Sequence, residues 1–233
     1  MHKIFFTGSG SINNELKNLF YGKAEVQNKI EPTIEFIFDS CNFPFDEKIK
    51  NLQNIEAQCS KDCVILSSTL CNATHESIPH LKNPSRVIGI GLYDSFSTKK
   101  FVELAQSKLT NKNIVENVQK FFDSIEVKTS IVPDKPGLVF PRILCMIINE
   151  AAQVYSEKIA NREDIDTAMK LGTNYPFGPL EWADKLGIDL VHNILESLQR
   201  TFGEDRYRPH PLLKEMVNLN QLGVKTKKGF YEY

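Results

Sequence analysis

The sequence lacks an excess of either charge: 28 lysines and arginines stand against 29 aspartates and glutamates. The balance holds locally, with fifteen basic against fifteen acidic side chains over 1–133 and thirteen against fourteen over 134–233. Such a chain presents no electrostatic footprint for a phosphate backbone, so nucleic acid is not an expected partner. Cysteine is sparse as well. Cys41, Cys59, Cys63, Cys71 and Cys145 are too few and too scattered for a disulfide framework, and their odd number reads as reduced thiols in a cytoplasmic protein. Long apolar runs are missing: Met1 to Thr7 breaks at Gly8, too short for a signal segment or a membrane span, so no membrane partner is expected. There is no internal repeat and no low-complexity tract. What remains is a 233-residue chain, 41% hydrophobic and 24% charged, which can bury a full core in one or two domains and excludes disorder, collagen and coiled coil.

Two periodicities divide the chain near Pro133. Over 1–133, Lys3 to Phe6, Thr33 to Phe38, Val64 to Ser67, Val87 to Ile90 and Ile125 to Val132 read as strands. Glu47 to Ile55 and Asn113 to Ser124 place apolar residues at helical spacing between them. Repeated strand-then-helix order predicts an α/β domain with a largely parallel sheet. Over 134–233 the pattern is helical. Arg142 to Lys158 places Ile143, Ile147, Ala151, Val154 and Tyr155 at helical spacing as a broad apolar face, Asn161 reads as the N-cap of a following helix, and Gly172 as the left-handed residue that ends that following helix. Gly187 and Gly203 punctuate helices around Leu180 to Leu186 and Leu190 to Phe202, and Pro209 and Pro211 open one running to about Leu219.

Several residues could carry chemistry. The first strand enters Gly8-Ser9-Gly10-Ser11-Ile12-Asn13, where a dinucleotide fingerprint has three glycines. Gly8 and Gly10 suit a tight turn and a close backbone approach to a pyrophosphate at a helix N-terminus. Asn13 occupies the third position, and Glu25 and Glu31 lie in a weakly patterned stretch with no acid clearly ending a second strand. A plain strand-turn-helix is the competing reading. His75 and His80 lie near Cys63 and Cys71, but the spacing matches no standard zinc ligand set, so no metal is expected. Glu103 sits in Phe101-Val102-Glu103-Leu104-Ala105, either as a perturbed carboxyl that orients a base or as an exposed residue on a helix or edge strand. The terminal lysines and aromatics, Gly223 to Tyr233, read as a tail packed back by its rings.

The second half resembles the C-terminal domain of the 3-hydroxyacyl-CoA dehydrogenase family, especially the 3-hydroxybutyryl-CoA dehydrogenases. The motifs are Asp134-Lys135-Pro136-Gly137, Pro141-Arg142 through Asn149-Glu150-Ala151, and Glu163 through Gly172. Pro176-Phe177-Gly178-Pro179-Leu180-Glu181-Trp182-Ala183-Asp184, Arg206-Tyr207-Arg208-Pro209 and the Gly-x-Lys-Thr-x-x-Gly-Phe-Tyr ending complete them. In the first half the likeness continues through Ile34 to Phe38, Val64 to Ser68 and Arg86 to Gly89. The resemblance implies α/β plus all-α architecture: a Rossmann-like parallel-sheet domain over 1–133 and a helical dimerisation domain over 134–233. It also implies NAD as cofactor, an acyl-CoA substrate and a homodimer. In the family a histidine base, oriented by a glutamate, takes the hydroxyl proton as hydride leaves for NAD. Residue by residue, the base position holds Gly91, the glutamate is Glu103, the substrate-contacting serine falls on Cys71, and the asparagine before Arg142 is Pro141. Should the base come from elsewhere, His75 or Tyr93 would have to line the cleft. The Gly10 to Thr33 interval, about two dozen residues, is shorter than the second strand and helical hairpin found there in the family, which implies a truncated first domain. The rival reading is a dimeric binding or interaction protein that has lost catalysis.

Overall fold

Alternation along each strand decides which face of the sheet a side chain fills. The computed structural model describes residues 1–8, 11–93 and 100–233, and the chain divides into two compact units, Met1–Val139 and Phe140–Tyr233. In the first unit the strands Lys3–Thr7 (β1), Phe36–Asp39 (β3), Val64–Ser68 (β4) and Val87–Ile90 (β5) sort their residues by parity. Ile4, Phe6, Phe36, Phe38, Val64, Leu66, Ile88 and Ile90 enter one core, whereas Ile37, Ile65 and Val87 enter the other. Burial on both faces explains why these runs are almost continuously apolar. With Glu25–Val26 (β2), Phe101–Gln106 (β6) and Lys128–Pro133 (β7), the sheet runs β2-β1-β3-β4-β5-β6-β7. Pairing is parallel throughout except between β5 and β6.

Among the described residues, four helices of this unit position its edges: Ser11–Phe20 (α1), Phe45–Gln58 (α2), Thr74–Ser77 (α3) and Lys112–Ser124 (α4). The last is capped by the Asn111 side chain, which accepts from Asn113 N–H, and it buries Val115, Val118, Phe121 and Phe122. Phe121 stacks on Phe36 with ring centroids 4.4 Å apart and on Phe20 at 5.5 Å, so α1, β3 and α4 share one aromatic layer. Burying each such ring stabilises by roughly 2–3 kcal/mol.

The structure corrects several expectations. The strand expected from Thr33 begins at Phe36, because Ile34 N–H donates to Glu31 and closes a turn first. The weakly patterned stretch contains β2, two residues paired with Lys3 and Ile4, too short for any period to register. The strand expected from Ile125 begins at Lys128. Phe101 to Ala105 lies in β6, and Glu103 within it is buried rather than exposed.

The second unit is helical: Phe140–Ser156 (α5), Arg162–Thr173 (α6), Pro179–Leu186 (α7), Ile188–Phe202 (α8) and Pro211–Asn218 (α9). Asn161 caps α6 through Asp164 N–H, as its sequence position suggests. Gly172, expected to end that helix, stays inside it, and Asn174 takes the left-handed conformation at φ 56°. Asparagine tolerates that region nearly as well as glycine, and the space around Gly172 is open, so nothing requires glycine to stop the helix there.

The terminal motif has a clear physical cause. The Asp184 carboxylate accepts from Phe230 N–H at 2.9 Å, Tyr231 N–H at 2.8 Å and Tyr233 O–H at 3.1 Å. For the tail to come this close, Gly223 adopts φ 88° against the Asp184 backbone, and a Cβ at Gly229 would lie 2.0 Å from Asp184 Oδ1. Burial lifts the Asp184 carboxyl above its ordinary value of 3.8, although these donors pull the other way. The folded state therefore holds this proton more tightly than the unfolded chain, a contribution present below 3.8 and lost as pH rises through the folded value. Asp184→Asn removes the titration, so the stability difference between wild type and variant should shrink between pH 4 and pH 7.5 in urea unfolding; a difference that grows would contradict this assignment.

Candidate functional site

The carboxyl ends of parallel strands are where an open α/β sheet receives ligands, at the point where strand order reverses. Here that point lies at β1, which pairs with β2 on one side and β3 on the other. Gly8 follows β1 at φ 92°, and a Cβ there would lie 2.3 Å from Ser40 Oγ. Only glycine fits both the conformation and the space. Helix α1 then starts at Ser11 with no acid in its first turn, which suits an anion. Asn13 ties the turn down by donating from Nδ2 to the Gly8 carbonyl at 2.8 Å. Its Oδ1 is buried without a partner among the described residues. Gly10 lies outside the described residues. Gln27 Nε2 donates to Glu25 Oε1 at 2.7 Å, but Glu25 pairs with Lys3 at the start of β1, so this carboxylate lies at the amino end of the sheet and not beside the Gly8 turn. A cradle that a Cβ would fill, an acid-free helix start and an unused acceptor together fit a dinucleotide.

The expected catalytic positions are cross-strand neighbours. The antiparallel register pairs Gly89 with Ala105 and Ile90 with Leu104, and Gly91 N–H donates to the Glu103 carbonyl at 3.0 Å. Gly91 therefore faces Glu103 directly, on the same side of the sheet. Glu103 is 4% exposed, and its charge together with burial pushes the Tyr93 phenol well above its ordinary range, burial being the larger cause. Asp94 and Ser95, the end of the segment aligned with the family's base loop, lie outside the described residues.

A strap following β7 crosses the end of β4. Asp134 accepts from Thr74 N–H at 2.7 Å and His75 N–H at 2.9 Å, starting α3, and its Oδ2 also lies 2.9 Å from His75 Nδ1. Gly137 N–H donates to the Thr69 and Leu70 carbonyls, next to the buried Cys71. Leu138 then reaches Gly91, where an added Cβ would lie 2.9 Å from its Cδ1. The strap thus brings the Cys71 segment and the Gly91–Glu103 pair together. His75 is half-exposed and oriented by Asp134, Tyr93 is buried, and His80 lies against the Phe45 ring.

Residues 21–135 match the family model of the 3-hydroxyacyl-CoA dehydrogenase NAD binding domain, and residues 137–233 match that of the C-terminal domain. The chain belongs to the 3-hydroxyacyl-CoA dehydrogenase family. Among relatives, a 3-hydroxybutyryl-CoA dehydrogenase of Clostridioides difficile is 39% identical over 179 residues, covering 77% of this chain and 64% of the relative. A probable 3-hydroxybutyryl-CoA dehydrogenase of Bacillus subtilis is 33% identical over 186 residues, covering 80% and 65%. The chain thus spans just under two thirds of these relatives' length. The crystal structure of (S)-3-hydroxybutyryl-CoA dehydrogenase PaaH1 from Ralstonia eutropha superposes with a TM-score of 0.82 at 25% identity, covering 100% of this chain and 99% of that one. M. tuberculosis FadB2, at 22% identity and a TM-score of 0.84, shares the fold over 99% of this chain and 90% of its own.

Within this 3-hydroxyacyl-CoA dehydrogenase fold, the sequence reading missed a buried polar network. Asp39 ends β3, and its carboxylate accepts from Thr7 Oγ1, Cys41 N–H, Ser67 Oγ and, at 2.7 Å, Asn51 Nδ2. The Lys48 ammonium, 1% exposed, donates to Asp39 Oδ2 at 3.2 Å, the Cys41 carbonyl at 2.7 Å and the Ser68 carbonyl at 2.8 Å. The available signal was a lysine in register with Leu52 and Ile55 on the apolar face of α2, and an aspartate closing an apolar strand. Pro141, aligned with the family's asparagine, lies in the first turn of α5, where its missing N–H costs nothing. Removing one partner of a buried ion pair leaves the other uncompensated. Lys48→Met should therefore cost about 3–5 kcal/mol in chemical unfolding, with much of the loss recovered in the Asp39→Asn/Lys48→Met double variant.

Proposed function

We propose that the protein is an NAD-dependent oxidoreductase interconverting short-chain 3-hydroxyacyl-CoA and 3-oxoacyl-CoA, as the names of its 3-hydroxybutyryl-CoA dehydrogenase relatives suggest. It works in the cytoplasm as a homodimer joined through its helical unit. The observation that carries this reading is the buried Glu103 carboxyl facing Gly91 across the β5–β6 pair. NAD, when bound, supplies the hydride acceptor. Gly8 and Gly10 would hold its pyrophosphate, and Cys71 would take the substrate-contacting position.

Glu103 takes the hydroxyl proton through a bridging water on the Gly91 side of the β5–β6 pair, where Leu138 Cδ1 lies 2.9 Å from the position of an added Cβ. Without an imidazole between them, this transfer runs over a longer path and the rate is correspondingly low. A positioned base is worth about 10²- to 10⁴-fold. The first obstacle to a larger residue at 91 is Leu138 Cδ1, the end of a flexible side chain, so histidine can be accommodated.

Reduction of acetoacetyl-CoA by NADH, followed by nicotinamide absorbance, tests the reading. Wild type should turn over slowly, Gly91→His should gain about 10²-fold or more, and Glu103→Gln in that background should remove most of the gain. Absence of turnover in wild type and Gly91→His alike, with both folded, would favour the binding or interaction protein instead.

A further inference from the structure

The amino edge of the sheet, where β4 and β5 begin, holds a cluster that plays no part in the reaction above. Cys59 ends α2, its N–H donating to the Ile55 carbonyl, and Cys63 N–H donates to the Ser60 carbonyl at 3.2 Å in a turn that brings the two thiols together. The Cys63 thiol donates to the Val64 carbonyl at 3.7 Å, and one nitrogen, Arg86 Nη1, lies 3.4 Å from both Cys59 Sγ and the Cys63 carbonyl, which sets the two cysteines beside each other. Arg86, just before β5 and 5% exposed, lies across this turn. Its Nη1 donates to Cys59 Sγ at 3.4 Å, to the Cys63 carbonyl at 3.4 Å and to the Ser60 carbonyl. Glu56, the acid facing the guanidinium from α2, stands 3.7 Å away, and its oxygens already accept from Lys82 and Asn83 N–H. The guanidinium is therefore shared between the Glu56 carboxylate on Nη2 and the Cys59 sulfur on Nη1. Arg86 Nε is buried with no acceptor among the described residues.

Access exists from outside. Cys59 is partly exposed, and Cys63 borders an open cavity of about 340 Å³ together with Glu35, Ser60 and Asp62.

We propose that Cys59 and Cys63 form a peroxide-reactive thiol pair that closes reversibly into a disulfide. The Cys59 thiolate attacks one oxygen of a hydroperoxide; the O–O bond breaks, and the leaving oxygen departs as water or alcohol after taking a proton. The product is a Cys59 sulfenic acid, for whose oxygen Arg86 Nε is a free donor. The Cys63 sulfur then attacks Cys59, the S–O bond breaks, and water leaves with the Cys63 proton. Two thiols are oxidised and one peroxide is reduced.

The electrostatics agree. The neighbouring Cys63 thiol and the Arg86 charge hold the Cys59 thiol down to about 6 despite burial, and the neighbouring Cys59 sulfur with burial pushes Cys63 far up. An attacking thiolate beside a protonated resolving thiol is the division of labour that the sequence of steps needs.

Iodoacetamide labelling of the reduced 233-residue chain across pH, with each cysteine read by peptide mass, should give half-maximal Cys59 reactivity near pH 6. An ordinary thiol would show about 0.3% of its plateau there. One equivalent of hydrogen peroxide should remove two hydrogens and map to a Cys59–Cys63 bond reversed by dithiothreitol, and Cys63→Ser should trap the sulfenic acid at Cys59 with dimedone. Half-maximal labelling near pH 8.5, or peroxide-treated wild type that keeps both thiols or joins other cysteines, overturns the proposal.

Discussion

Lys48 buries an ammonium among three acceptors, and the geometry of the carboxyl edge follows from how each of its protons is used. One goes to Asp39, one to the Cys41 carbonyl and one to the Ser68 carbonyl, which fastens α2 to the ends of β3 and β4. Asp39 passes the constraint on to Thr7 at the end of β1. Ionic groups withdrawn from water are tolerated only when every donor and acceptor is satisfied, and such a network then admits few alternative arrangements. The Gly8 turn and its close approach to Ser40 rest on that fixed edge.

The Gly91 and Glu103 positions depend on register in the same way. Gly91 and Glu103 are twelve positions apart in sequence and meet because β6 runs against β5. Had β6 been parallel, no such pairing of these two residues would follow. The strap from Asp134 to Leu138 closes the arrangement by joining the end of β4 to Gly91. Its anchor, Asp134, does two tasks at once: it starts α3 through two backbone N–H groups and orients His75.

Much of the fold was legible because it is written in local periods. The alternation of Phe36, Ile37 and Phe38 marks a strand buried on both faces, and the spacing of Ile143, Ile147 and Ala151 marks a helix, but the face that helix buries is that of Leu144, Cys145, Ile148 and Ala152, with Ile143 54% exposed. What escaped is non-local. Two-residue β2 exists by pairing with β1, the Lys48–Asp39 pair exists only once α2 is placed against β3, and Glu103 is buried in a strand flanked by β5 and β7. The Gly223 and Gly229 spacing was recognisable as a family motif, whereas its cause, the close wrapping of a tail around Asp184, became visible only in three dimensions. Family resemblance aligned Gly91 with a base and Glu103 with its partner, and the sheet register supplies the physical reason that the two positions belong together.

The central claim is that the carboxyl edge retains a working dinucleotide cradle although the imidazole position is empty of side chain. Fluorescence titration of the folded wild-type protein with NADH tests it most directly. Saturable binding that is abolished by Gly8→Val, whose Cβ would meet Ser40, is the result the account predicts; a folded protein with no saturable binding at millimolar NADH would contradict it.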